Sequence, residues 1–136
     1  MEKKFEFLEH TADIKFRVFG KTLEEVFENS ALAISEIYSK EKKISLKSKK
    51  KISVKGKDLE NLLYNFLEEL IFLVDSENFV VSKAKVSIKN TSLTAEIYGD
   101  DVKNYTNLDQ IKASTYHEMY IKKTKKGWEA QVVVDV

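Results

Sequence analysis

Phe5-Glu6-Phe7-Leu8-Glu9-His10-Thr11-Ala12-Asp13-Ile14-Lys15-Phe16-Arg17-Val18-Phe19-Gly20-Lys21-Thr22-Leu23-Glu24-Glu25 holds two strands, the break between them and the start of a helix. Phe5 and Phe7 alternate with Glu6, the period of an extended chain with one buried face, up to a polar break at His10-Thr11-Ala12-Asp13. Beyond the break Ile14, Phe16 and Val18 share one face, while Asp13, Lys15 and Arg17 share the other. Gly20 stops this second strand. Thr22-Leu23-Glu24-Glu25 is a capping box: the threonine hydroxyl accepts from the backbone three residues on, and Glu25 reaches back. Leu23, Val26, Phe27, Ser30, Ala31, Ile34 and Ile37 follow at helical spacing, predicting an amphipathic helix over 22–38.

A second helix starts at Asp58, which can cap it. Leu59, Leu62, Leu63, Phe66, Leu67, Leu70, Ile71 and Val74 form its broad apolar stripe, and Asp75-Ser76-Glu77-Asn78 ends it. Phe79–Lys89 and Leu93–Tyr98 read as a hairpin around Asn90-Thr91-Ser92, with Ala84, Val86 and Ile88 facing Leu93, Ala95 and Ile97. Residues 99–109 are polar and turn-rich, the longest predicted loop. Asp100, Asp101 and Asp109 in it lack EF-hand spacing and a closing glutamate, which favours a plain surface loop over a calcium loop.

Nine lysines lie between Lys40 and Lys57 against one acid, Glu41. Ile44, Leu46, Ile52 and Val54 alternate with them as a half-buried strand requires, and no aromatic residue or arginine is interleaved. A lysine-protected edge strand is the favoured reading, with a weak approach to RNA the minority one. The chain has 136 residues, 43% of them hydrophobic and 33% charged, with net charge +1. One soluble globular domain over 1–136 is expected, with no global field for nucleic acid. No cysteine is present, which excludes disulfides, thiol catalysis and thiolate zinc sites. Glu2, Glu6 and Glu9 interrupt any signal-peptide core, and Leu70–Val74 is too short to span a bilayer, so a cytoplasmic location without membrane attachment is expected.

The final two strands concern function most. Ile111, Ala113, Thr115, His117, Met119 and Ile121 alternate with polar residues, and Trp128, Ala130, Val132, Val134 and Val136 alternate with Glu129, Gln131, Val133 and Asp135. A hairpin centred on Thr124-Lys125 would set Ser114 across from Asp135, with Lys112 close by. This alternation puts His117 on the apolar face, as a core histidine. Asp13 alone reads as an exposed acid at a strand start, and Asp135 alone as a frayed end. Together with the terminal carboxylate they would suit a hard cation, calcium or magnesium. Neither histidine pairs with a nucleophile, and no phosphate-loop or dinucleotide motif occurs, so an autonomous enzyme is not supported.

Phe5 through Asp13, then Gly20 through Glu25, resemble the opening of the archeases. Leu62 through Asp75, Ile111-Lys112-Ala113-Ser114-Thr115-Tyr116-His117 and Val133-Val134-Asp135-Val136 resemble that family's other signatures, in the same order. The resemblance implies a small α+β fold: a two-layer sandwich of mixed or antiparallel sheet with two amphipathic helices, made of strand-helix-strand-strand units, one inserted in another. It implies a protein cofactor of the GTP-dependent tRNA-splicing ligase that joins RNA ends through a 3′-phosphate, promoting guanylylation and multiple turnover without itself being an enzyme. The family's metal-binding positions correspond to Asp13, Asp135 and Val136, with calcium the implied ion and magnesium the alternative. Asp13, Lys112 and Asp135 correspond to the residues that activate the partner, and His10 and Ser114 stand beside that set. RNA would be met only indirectly or weakly, and the oligomeric state stays open. Two departures stand out: Ser114 replaces a usual valine on what reads as the polar face, and the 99–109 loop lacks a histidine often found there. An RNA-binding or chaperone-like module for tRNA-modifying enzymes, using Lys40–Lys57, is the alternative. A stand-alone metal-dependent hydrolase lacks its nucleophile and general base.

Overall fold

The computed structural model describes residues 3–9, 12–40 and 42–136. In chain order these form β1 (Phe5–Leu8), β2 (Ile14–Gly20), α1 (Leu23–Ser39), β3 (Ser48–Lys55), α2 (Leu59–Glu77), β4 (Phe79–Lys89), β5 (Ser92–Asp101), a 3-10 turn at Val102–Asn104, β6 (Ala113–Ser114), β7 (Tyr120–Thr124) and β8 (Gly127–Asp135). The α+β expectation with two helices is met, but the strands divide into two sheets. One runs β1-β2-β8-β6 with β7 also on β8, the other β3-β5-β4, and every pairing is antiparallel.

Both helices start as their sequences dictate. Thr22 Oγ1 accepts from Glu25 N–H at 3.2 Å, and the Glu25 carboxylate reaches back to Lys21 N–H at 2.9 Å. Asp58 accepts from Asn61 N–H at 2.7 Å. Asn78 ends α2 in the left-handed region, φ 55°, a conformation asparagine tolerates better than most side chains. Each helix touches strands of both sheets, α1 on β2, β8 and β4, α2 on β3, β4, β6 and β7. The fully buried rings of Phe27 and Phe66 meet 5.6 Å apart where the two helices cross. One hydrophobic cluster runs from Phe16 and Val132 through both helices to Val80 and Ile97. Neither helix is long and apolar enough to cross a membrane.

The hairpin of β4 and β5 closes on a two-residue turn, Asn90-Thr91, with Asn90 at φ 58°. β5 runs further than expected, to Asp101, so part of the predicted 99–109 loop is strand. Asp100 is therefore buried, 4% exposed, not on a plain surface loop. It accepts from Tyr105 Oη at 2.8 Å, Asn104 at 3.0 Å and Asp101 N–H at 2.8 Å. Desolvation would raise its pKa, but these donors outweigh it and hold the carboxyl below its usual value. Leu46 also departs from expectation. Residues 42–47 are not strand, Ile44 alone turns inward, and Leu46 is 52% exposed.

Candidate functional site at the ends of three strands

β8 lies between β2 and β6, and this arrangement brings the start of β2 and the segment before β6 to the end of β8. Ile14 opposes Val134, so Asp13, the residue just before β2, comes beside the end of β8 where Asp135 sits. On the other side Ala113 opposes Asp135, and Lys112 N–H donates to the Asp135 carbonyl at 2.7 Å. Thr115 donates through both N–H and Oγ1 to the Val133 carbonyl, at 3.2 and 2.8 Å. Asp13 is half-buried, while Lys112, Asp135 and Val136 are exposed. His10, expected beside this set, lies outside the described residues.

The register differs from the sequence reading. Ala113, not Ser114, faces Asp135, and the hairpin turns at Lys125-Lys126 instead of Thr124-Lys125. Gly127 follows that turn at φ 137°, and a Cβ on it would stand 2.3 Å from the Gly20 carbonyl oxygen, so only glycine fits. The shift arises because the predicted strand over 111–122 is broken. Met119 N–H bonds back to the Tyr116 carbonyl at 3.1 Å, and Glu118 takes φ 53°. His117 is consequently on an exposed turn, its side chain 61% accessible, and not in the core. Ser114, read as polar-face, is 3% exposed, and its Oγ has no hydrogen-bond partner. Removing that unpaired hydroxyl, Ser114→Ala, should stabilise the protein by about 1 kcal/mol, read as a higher urea midpoint at unchanged slope.

Three residues of α2 outside its apolar stripe hold this segment. Glu68 Oε2 accepts from Ser114 N–H at 2.7 Å, and Asn61 Nδ2 donates to Tyr116 Oη at 2.6 Å. Tyr64 stacks on Tyr116 with centroids 4.2 Å apart and planes 5° from parallel. Burial, then the charge of Glu68, then Tyr116 push the Tyr64 phenol above its ordinary value. Asn61, Tyr64 and Glu68 share one helix face, the only signal that could have flagged them. Glu68→Ala leaves the Ser114 N–H without its acceptor and should cost roughly 1–3 kcal/mol, measured by urea unfolding.

The outward face of this sheet is polar and cross-tied. Lys15 pairs with Glu118 at 2.7 Å, Arg17 Nε donates to Gln131 at 2.9 Å, and Gln131 donates to the Glu118 carbonyl at 2.8 Å. Val133 is fully buried on this same face, so both sides of β8 are covered near its end. Tyr120 Oη donates to Glu129. Burial first, then that bond and the Glu129 charge, push its pKa from 10.0 to about 12. The folded state thus holds the proton more tightly than the unfolded chain. This contribution is whole below pH 10 and is lost as pH rises to about 12. Urea midpoints should fall across that window, and Tyr120→Phe should flatten the fall.

Among the described residues, no three His, Cys, Asp or Glu side chains form a metal-ligand group. What the strand ends offer is the carboxylates of Asp13 and Asp135, with Val136 next in the chain. An all-oxygen anionic set fits a hard cation such as calcium or magnesium, and excludes the soft metals that require sulfur. A cleft of about 550 Å³ opens beside Asp13, with Glu9, Glu36, Lys40 and Asp109 on its walls.

A family model described as the archease protein family matches residues 5–136. Protein archease of Methanosarcina barkeri is 44% identical over 141 residues, covering 98% of this chain and 97% of that protein. Protein archease of Pyrococcus abyssi is 41% identical over 141 residues, covering 98% and 99% respectively. The solution structure of protein 1598 from Methanobacterium thermoautotrophicum matches with a TM-score of 0.81 at 33% identity, covering 98% of this chain and 99% of that one. A crystal structure from Thermotoga maritima, described as an archease and possible chaperone, shares the fold with a TM-score of 0.68 at 21% identity, over 100% of this chain and 98% of that one.

Proposed function

The chain belongs to the archease family, and on that premise we propose that it is a protein cofactor of the GTP-dependent tRNA-splicing ligase that joins RNA through a 3′-phosphate. It promotes guanylylation of the ligase and its repeated turnover, in the cytoplasm, and transfers no nucleotide itself. The observation that supports this reading is the pairing of β2, β8 and β6. It brings Asp13, Asp135 and Lys112 to neighbouring strand ends instead of leaving them as unrelated surface charges.

Guanylylation brings a polyphosphate into a ligase site that is itself rich in charge, so the barrier is one of positioning and neutralisation. Lys112 is fixed at its backbone by the Asp135 carbonyl and is otherwise exposed, so its ammonium is free to reach the phosphates of a docked partner. Asp135 ends β8 and Asp13 immediately precedes β2, so paired strands fix both backbones. Asp13, Asp135 and Val136 would hold the divalent cation, which when bound supplies concentrated positive charge beside the phosphates. Glu68, Tyr64 and Asn61 position the corner by tying residues 114–116 to α2.

Transfer of labelled guanylate from GTP to the cognate ligase is the test. Label should accumulate on the ligase faster when this chain is added, and none should appear on the chain. Equal rates of ligase labelling with and without it would refute the proposal.

A further inference from the structure

We infer that the outward face of the β3-β5-β4 sheet binds the sugar–phosphate backbone of single-stranded RNA. In sequence the lysines of β3 look like a solvated edge with no aromatic partner. The register changes that. Across the sheet Lys49 opposes Tyr98, which opposes Lys83, and one step along Lys51 opposes Glu96, which opposes Lys85. Lys55 and Lys89 flank Ser92 in the same way.

Two columns of lysine therefore stand on either side of a central strand, about 10 Å apart at ordinary strand spacing. Both Lys49 and Lys83 lean over the Tyr98 ring, with Nζ 6.0 and 5.5 Å from its centroid. Six lysines against Glu96 alone give this face a formal +5, while the whole chain carries +1, so the remainder carries −4. The charge is sorted, not merely abundant.

Protection of free strand edges is the simpler account of such lysines. It suits β3. It suits β4 less well, because Glu28 of α1 already accepts from the Val86 N–H on that strand's open side, at 2.8 Å. Nor does it explain an aromatic ring set between the two columns on the central strand. A positive surface of this kind with one π-face has the make-up of a platform for single strands, where lysines follow phosphates and a base stacks on the ring. That the strand is RNA rests on the ligase reading above. The charge complementarity does not.

The test is fluorescence anisotropy of a labelled single-stranded oligoribonucleotide with the whole chain and no ligase, over a range of salt. Wild type should bind with log affinity falling linearly in log salt. The Lys51→Ala, Lys85→Ala double variant should bind more weakly, with a slope shallower by about 1.4, two phosphates at roughly 0.7 each. Tyr98→Ala should lose roughly tenfold in affinity at unchanged slope. Circular dichroism checks that these substitutions leave the fold intact. Asp13→Ala should bind RNA as wild type does, so failure of the ligase reading and failure of this one are separable. Absence of salt-dependent binding, lysine variants that bind like wild type, or polyglutamate binding as tightly as RNA (an acidic protein as the true partner) would each overturn the inference.

Discussion

Asp135→Ala and Asp13→Ala are each expected to reduce stimulation of the ligase to the level of the ligase alone while leaving the fold intact. The Asp135 side chain is exposed, and what β6 uses is its backbone carbonyl, which accepts Lys112 N–H and survives the substitution. Changes at exposed positions away from core, caps and networks usually fall within about 0.5 kcal/mol. The two side-chain carboxylates, in contrast, are the acidic groups the proposed tip offers a cation. Removing one leaves a single aspartate of the pair for a hard cation that prefers six or more oxygens. Thermal melts and guanylylation rates on the same preparations separate the two effects. A variant that melts like wild type and stimulates fully would remove that residue from the site.

The largest expected effect on stability is at Phe66. Its side chain is fully buried and its ring meets Phe27 where α2 crosses α1. Phe66→Ala removes the ring and leaves a cavity, at a cost of about 3–5 kcal/mol. Native domains are stable by roughly 5–15 kcal/mol, so this is a large share of the total. Because α2 also carries Glu68 and Tyr64, the variant should lose residual stimulation on warming before wild type does. Urea unfolding measures the first effect, and a loss below about 1 kcal/mol would contradict the described packing.

The helices were legible because their apolar residues recur at helical spacing and their caps are local, Thr22 with Glu25 and Asp58 with Asn61. The β4–β5 hairpin was legible for a similar reason, its asparagine turn lying between two alternating runs. The β6–β7 break was not. Thr115 to Ile121 keep a strand-like alternation through a turn whose positive φ falls on Glu118, a residue that gives no warning of it. That hid the exposure of His117 and the burial of Ser114. Asp100 was misread because its ligands, Asn104 and Tyr105, are supplied by the turn that follows it. The proximity of residues 13 and 135 could be suspected from strand ends but required the β2–β8 register. Tyr98 could not be set between Lys49 and Lys83 without the pairing of three strands.

Ligation by the cognate ligase with this chain at sub-stoichiometric amounts addresses the central claim most directly, comparing wild type with a chain lacking Asp135 and Val136. The strand-end site predicts many rounds of joining per ligase with wild type, and no more than the ligase achieves alone with the shortened chain. Equal joining with and without wild type, or a shortened chain as effective as the full one, would contradict it.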